Sequence, residues 1–478
     1  MEWSDVFDDS RNETIEYEVL KELRPPPKLK NLKILNNMGM SFPCWVGDPS
    51  FEQLTELTLC GCRSTHLRLG HMRSLKKLVV ERMNEVKTVG FELPAPTNSF
   101  PSLEVLTFKD MQGWQRWSID SGDDHGTPRS FPRLHVISIK CCPELAEVSV
   151  GLIPSLRVLY IEECSEPLLR SMVGLSSSLV KLKIENVKGL TQLHGDDLMH
   201  LGALKNLCIK NCDELKYLWE QESEACKSLV SLQNLEVQDC KNFVSSAQKE
   251  ANIGISMESL KSVKFIKCET LESYNCTNTV ERLVISTCAS ISSLTFSAVQ
   301  EHPSPLTELI VSDCGNIQPK PIPAKDFSLS RLTSLEISDC KNLKSFPYEH
   351  FQCLTSLEDM WIRDCPSMDY SFPCGVWPPN LSKLKIGGLN KPMSEWGPQS
   401  FPTSLVDLLL FGENSGVVSF AVADNVRNTI TPSSSSSSSF LLLPPSLVFL
   451  EVNGFKDVES FSECVDVEKV HVGSRLST

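Results

Sequence analysis

The sequence has no run of roughly 18 consecutive apolar residues, which excludes a membrane-spanning helix. It has no Gly-x-x-x-x-Gly-Lys followed by Ser or Thr, so it carries no phosphate loop to cradle a nucleotide. Nothing in it resembles a nucleophile elbow. Basic charge is also short: Lys and Arg number 46 against 60 Asp and Glu, a net charge of −14. A body that binds nucleic acid shows a basic face, so that balance argues against a nucleic-acid partner. Residues 1–20, MEWSDVFDDSRNETIEYEVL, are acidic and lack the apolar core of a secretory signal. With 19 cysteines and no such signal, the expectation is reduced thiols in the cytosol or nucleus, with no disulfide framework and no membrane partner.

What is present is one phrase that keeps returning. LTSLEISDCKNL begins at Leu332, LQNLEVQDCKNF at Leu232, LKNLCIKNCDEL at Leu204 and LTELIVSDCGNI at Leu306. The opening Leu-x-x-Leu-x-Leu skeleton occurs in about 17 copies between Leu29 and Leu447. Steps are 20 to 31 residues, with one of 42 before the last. That pattern and period define leucine-rich repeats. Leu335 and Ile337 alternate with period two, so both point to one face of a short strand. One repeat cannot bury its own apolar groups. Stacked repeats share a core worth roughly 1.5–3 kcal/mol per buried Leu or Ile, which offsets the ordering entropy.

The predicted fold is therefore an α/β repeat, a leucine-rich-repeat solenoid or horseshoe. It has a parallel concave sheet and an irregular or short-helical convex side. Residues 29–455 form the solenoid, with a disordered Ser-rich insert at 431–439. Residues 456–478 are a C-terminal tail or cap, in which Cys464–Val472 alternates like a last edge strand. Residues 1–28 read as the convex helix of an upstream repeat. Ser10 and Glu13 make a capping box, Ile15, Val19, Leu20 and Leu23 share one helical face, and Pro25-Pro26-Pro27 stops the helix. Met1-Glu2-Trp3 is all that remains for that repeat's strand, so the chain is expected to be a piece of a longer protein or a truncated gene product. Residues 118–130 read as an exposed acidic loop.

Position nine of the skeleton is Cys at 62, 142, 164, 212, 240, 268, 288, 314, 340 and 365. That slot wants a small, mostly buried side chain with a weak donor, which a free thiol supplies. Cys60, Cys62, Cys141 and Cys142 lack zinc spacing, and His194 with His200, Asp196 and Asp197 reads as a polar loop. No catalytic residue, cofactor site or metal site is expected.

The N-terminal half carries more than the generic repeat. Phe42-Pro43-x-Trp45, Met83-x-x-Val86-Lys87-x-Val89-Gly90-x-Glu92 and Phe100-Pro101-Ser102-Leu103 follow in order. Met111-x-x-Trp114-x-x-Trp117, Phe131-Pro132-x-Leu134, Cys142-Pro143-x-Leu145 and Pro154-Ser155-Leu156 complete the series. This string resembles the repeat region of plant intracellular immune receptors of the coiled-coil, nucleotide-binding, leucine-rich-repeat kind. Arg68-Leu69-Gly70 departs from that family, which tends to have Pro before Leu-Gly, and the nucleotide-binding switch and coiled-coil heptads are absent. The resemblance implies a non-enzymatic domain that binds a protein ligand, either a pathogen effector or a guarded host protein. In a full-length receptor it also implies autoinhibition of an upstream nucleotide-binding domain. Two other readings stay open: a ubiquitin-ligase substrate adaptor, which would need an F-box-like module not found here, and a decoy or structural scaffold.

Recognition would fall on the outward side chain between the two inward ones of each strand. The candidate protein-binding residues are Tyr160, Lys183, Glu236, Lys264, Val284, Ile310, Glu336, Trp361 and Lys385. Tyr160 and Trp361 are aromatics at positions expected to be solvated, suited to anchoring a partner. Val284 and Ile310 make a small apolar pair on adjacent repeats. Asp239, Asp313, Asp339 and Asp364 follow their strands and suit either a basic partner or a turn.

Overall fold

Each Leu-x-x-Leu-x-Leu skeleton becomes one turn and one short parallel strand. In the strand Ser334–Ser338, Leu335 and Ile337 are 1% and 2% exposed while Glu336 between them points outward. Leu332 and Leu343 reach the same interior from the flanking turns, both 1% exposed. The computed structural model describes residues 1–4, 12–64, 69, 72–90, 100–118, 131–218, 228–244, 258–296, 304–317, 329–344, 348–373, 375–396, 401–412, 415–422, 440–455, 460–461 and 469–473. The anticipated loop at 118–130, beyond Ser118, and the Ser-rich stretch 431–439 lie outside these residues.

By its internal contacts the chain divides into two units. One comprises Met1–Leu235, Asp239–Lys241 and Ile255–Ser259, and the other Glu236–Gln238, Asn242–Gly254 and Leu260–Thr478. In the first unit, parallel strands run Asn31–Leu35, Glu56–Cys60, Lys77–Glu81, Val105–Lys109, Val136–Lys140, Val158–Glu162, Lys181–Glu185 and Asn206–Lys210, each paired with the next. In the second they run Ser262–Ile266, Arg282–Ser286, Glu308–Ser312, Ser334–Ser338, Asp359–Cys365, Lys383–Leu389, Asp407–Phe411, Phe449–Asn453 and Lys469–Gly473. The last of these is the edge strand anticipated from the alternation at the C-terminal end. The strand Asn234–Gln238 has residues in both units. The fold is a leucine-rich-repeat parallel-sheet solenoid with few helices.

Most turns among the described residues leave their strand in the same way. The residue after the strand sits in the left-handed region: Asn36, Asp110, Asn186, Asn211, Asp239, Asp313, Asp339 and Asp364 all have φ between 49° and 57°. Short polar side chains tolerate that region best among non-glycine residues. The backbone N–H there donates to the end of the next strand, as from Asp313 to Ser338 O (2.9 Å) and from Asp339 to Arg363 O (3.0 Å). Gly61 and Gly388 fill the same slot where a Cβ would collide with the side-chain oxygen Oδ1 of Asn36 or Asp364 on the repeat behind it. The recurring aspartates are thus explained by backbone geometry. Arg82, Cys141, Glu163, Lys267 and Thr287 adopt the same conformation without that advantage.

The cysteine slot follows immediately. Cys164 Sγ donates to Glu162 O (3.2 Å) in its own strand and Ile139 O (3.8 Å) in the preceding one. Cys314 and Cys340 repeat the pattern with Ser312 and Ile285, and with Ser338 and Val311. A small buried donor therefore satisfies carbonyls at the point where the chain leaves the sheet. Cys62, Cys142, Cys164, Cys212, Cys240, Cys268, Cys288, Cys314, Cys340 and Cys365 are all free and buried.

The convex side of the first unit holds features the skeleton does not announce. Thr88–Gly90, Arg116–Ser118 and Glu147–Ser149 form a second parallel ladder. Beneath it, Phe108 packs on Trp114 (4.4 Å between centroids) and Trp117 (5.3 Å), and Phe100 stacks on Phe131 (5.5 Å). All five are fully buried. Helices are short, such as Glu166–Val173 and Glu13–Glu22. The latter is capped by Asn12, whose side chain accepts from Thr14 N and Ile15 N (2.9 and 3.1 Å); Ser10, the anticipated cap, lies outside the described residues. Its buried face is Glu16 and Leu20, not the anticipated apolar stripe: Ile15, Val19 and Leu23 are exposed. Glu16 earns that place by accepting from Met38 N at 2.6 Å. Met1 and Trp3 exchange backbone hydrogen bonds with Leu35, a single isolated parallel bridge beside Asn31–Leu35.

Leu335→Asp places an unpaired charge in this core and should cost several kcal/mol, on the order of 4, read as a lowered denaturant midpoint. At the left-handed slot, Asp339→Gly should be close to neutral. Asp339→Val should cost about 1–2 kcal/mol, because a β-branched residue resists positive φ. Equal midpoints for the two would remove the backbone explanation.

Candidate functional site

Because each strand pairs with the next without a register slip, the central outward residues form straight columns. In the first unit the column runs Thr58, Val79, Thr107, Ser138, Tyr160, Lys183 and Cys208. In the second it runs Lys264, Val284, Ile310, Glu336, Trp361, Lys385, Leu409 and Glu451. The structure therefore brings Tyr160 and Lys183 side by side. It does the same for Lys264, Val284, Ile310, Glu336, Trp361 and Lys385. Glu236 is half-buried at the centre of Asn234–Gln238.

The sequence reading expected Tyr160 and Trp361 to be solvated, but the structure does not leave these side chains fully exposed. Tyr160, Lys183, Lys264, Ile310, Glu336, Trp361 and Lys385 are half-buried, and Val284 is only 9% exposed. Strands about 4.8 Å apart press successive outward side chains against each other, so each covers its neighbours. The expected Val284–Ile310 apolar patch is consequently presented mainly by Ile310.

Electrostatics differ along the columns. Lys181 Nζ lies 5.5 Å from the Tyr160 ring centroid, and Lys183 is paired with Glu185 at 2.6 Å. Lys385 Nζ lies 4.8 Å over the Trp361 ring. The Trp361 indole nitrogen is shielded from solvent and has no hydrogen-bond acceptor among the described residues. Burial pushes the Glu336 carboxyl above its ordinary range, while the Ser338 hydroxyl and Lys385 pull it back. Burial likewise raises Asp407; Lys383 and Lys385 oppose the shift, and Asp359 and Glu451 add to it.

Sequence reasoning stopped the column at Lys385. The same offset counted from Leu405 and Leu447 gives Leu409 and Glu451, so that signal was present. It also missed Arg363, whose guanidinium lies 4.2 Å over the Phe411 ring. Gly387 stands between them in register, and a Cβ there would collide with the Phe411 backbone.

Chemistry beyond contact finds little support. A cavity of about 480 Å³ in the second unit is lined by Trp377, Phe401, four-carbon and proline side chains, Gln352, Thr403 and Ser404, with no acid, base or thiol. His194 Nε2 lies 3.8 Å from Glu166, which also pairs with Arg170. Among the described residues no group of three or more His, Cys, Asp or Glu is placed to hold a metal, and no helix is long and apolar enough to cross a membrane.

Comparison with known proteins agrees with the repeat pattern. Residues 1–83 match the R13L1/DRL21 leucine-rich repeats, and residues 90–241 match the leucine-rich repeats of the plant disease resistance protein RPS2-like family. These matched stretches are similar to the leucine-rich repeats of plant disease-resistance proteins. More particularly, the chain is 29% identical over 243 residues to the putative disease resistance RPP13-like protein 1 of Arabidopsis thaliana, covering 42% of this chain and 22% of that protein. It is 33% identical over 154 residues to the putative disease resistance protein At3g14460 of Arabidopsis thaliana, covering 31% of this chain and 10% of that protein. The chain thus spans a minor part of these relatives. Among solved structures, YopM from Yersinia enterocolitica WA-314 aligns over 94% of this chain and 78% of that one, at 17% identity and a TM-score of 0.40. A score that low carries no argument about this chain. The relationship to disease-resistance proteins supports a protein-interaction role in defence.

The thiols offer a direct check of the fold. Burial pushes Cys62, Cys164 and Cys212 up to about 11, and Cys240 and Cys276 up to about 12. A raised pKa leaves little thiolate at pH 8, and burial blocks access. Brief alkylation of the native protein, read by peptide mass spectrometry, should modify exposed Cys44 and Cys353 and spare those five.

Proposed function

We propose that this chain is the protein-recognition region of a plant intracellular immune receptor, working in the cytosol or nucleus, where its buried thiols stay reduced. Its outward strand face binds a pathogen effector or a guarded host protein. In a full-length receptor the same region restrains a nucleotide-binding switch domain. The observation that carries this reading is the contrast between the two sides of each strand. Inward positions are almost uniformly Leu, Ile or Val, as in Leu182 and Ile184 or Leu335 and Ile337. Outward positions in the same register change from Tyr160 to Lys183 to Cys208, and from Glu336 to Trp361 to Lys385. The frame holds whichever outward residues are present, so their chemistry is available for a partner.

Trp361→Ala and Tyr160→Ala test this. Each should cost at most about 2 kcal/mol of stability, since neither is a core residue. Proteins retained by the wild-type chain from plant cells, identified by mass spectrometry, should be lost with at least one variant. Retention of the same set by both would place recognition elsewhere.

A further inference from the structure

The outward face of the second unit differs in charge from its surroundings. Three columns run side by side across the strands from Glu308–Ser312 to Phe449–Asn453. The central one presents Ile310, Trp361 and Leu409 as apolar groups, with Glu336, Lys385 and Glu451 among them. The column before it places Asp359, Lys383 and Asp407 on three successive strands. Arg363 is already engaged, with Asp364 at 2.6 Å and with the face of Phe411.

That leaves Lys383 and Lys385 against Glu336, Asp359, Asp407 and Glu451, two cations to four carboxylates. Among the described residues, no ion pair within 4.0 Å joins Asp359, Asp407 or Glu451 to a lysine or arginine. The carboxylates are half-buried, so water screens them less than it would on an open surface. An apolar ridge next to an excess of desolvated negative charge is complementary to a group that is apolar along its stem and positive at its tip.

We propose that this face is the docking site for a protein segment that presents a lysine or arginine beside an apolar side chain. The cation sits over Asp407 and Glu451, beyond Lys383, and the apolar side chain lies on Leu409 and Trp361. This rests on the outward-face reading above and names the chemistry of the partner. Arriving charge relieves the mutual repulsion of Asp359, Asp407 and Glu451, and the apolar contact covers the ridge. Lys383 and Lys385 set the spacing and disfavour a doubly basic segment laid directly over them.

The test is selection from a randomised peptide library displayed on phage, using the purified chain as bait and sequencing the survivors. The expected result is enrichment of Lys or Arg within one or two positions of Leu, Ile, Phe or Trp. The strongest selected peptide, made synthetically, should bind the Asp407→Asn, Glu451→Gln double variant about tenfold more weakly, and Trp361→Ala about tenfold more weakly. Binding to wild type should weaken as salt rises from about 50 to 300 mM. Thermal unfolding of the double variant should match wild type, because the substitutions are isosteric and on the outward face. Failure to enrich any sequence, an acidic consensus, or equal binding to wild type and double variant overturns the proposal. If binding is instead lost with Tyr160→Ala, the outward-face reading survives and this patch falls. If no outward substitution in either unit matters, both fall. Self-association of the chain that the double variant abolishes would assign the patch to a second copy and also overturn it.

Discussion

The parallel backbone ladder sets the terms for everything else in the molecule. Each strand both donates to and accepts from its neighbours, so no strand within a unit can shift by one residue without turning Leu335 and Ile337, or their equivalents, into water. Register is therefore fixed by burial, and the left-handed residue that follows most strands extends the ladder by one more hydrogen bond before the chain leaves. The thiol that follows closes the same corner from the inside, reaching carbonyls of two successive repeats. Hydrophobic burial, backbone pairing and a weak thiol donor all act at one place. That is why the corner repeats so faithfully while the convex segments differ in length.

What was legible in the sequence follows from this. A period of two over five residues identifies Leu335 and Ile337 as inward and Glu336 as outward, and the structure places them so. The spacing of whole skeletons located the strands as far as Phe449–Asn453, and the alternation of Cys464–Val472 pointed to the last one. Other features had no periodic signal. Strands of three residues, such as Thr88–Gly90 and Arg116–Ser118, are too short to alternate visibly. The aspartates after the strands looked like a charge feature because composition reports charge and not φ. Asn12 could be told from Ser10 as the helix cap only once the chain path was known.

Exposure was the least legible property of the candidate face. A single strand read alone puts Tyr160 or Trp361 in water. The ladder puts a neighbour about 4.8 Å to either side, and the side chains shield one another. Lys385 over Trp361 and Arg363 over Phe411 come from that proximity. The second contact also needs Gly387, whose missing side chain opens the path between strands that are not adjacent. Sequence offsets located the columns; which residues touch across them depended on side-chain length and on one glycine.

The distribution of ion pairs then separates what the frame needs from what it does not. In the first unit, opposite charges meet across neighbouring strands, as Lys109 with Glu81 at 2.8 Å and Lys140 with Glu162 at 2.7 Å. Arg282 and Glu308 do the same in the second unit at 2.8 Å. Such half-exposed pairs are worth about 0–1 kcal/mol each, so they add little beyond keeping the surface neutral. Asp359, Asp407 and Glu451 make no such pairs among the described residues, and burial, with Asp359 and Glu451 nearby, raises the affinity of Asp407 for a proton. Nothing in the ladder requires acids at those outward positions, because the inward residues alone hold the register. The fold explains the aspartates of the left-handed slot completely and these not at all. A partner carrying the opposite charge does explain them.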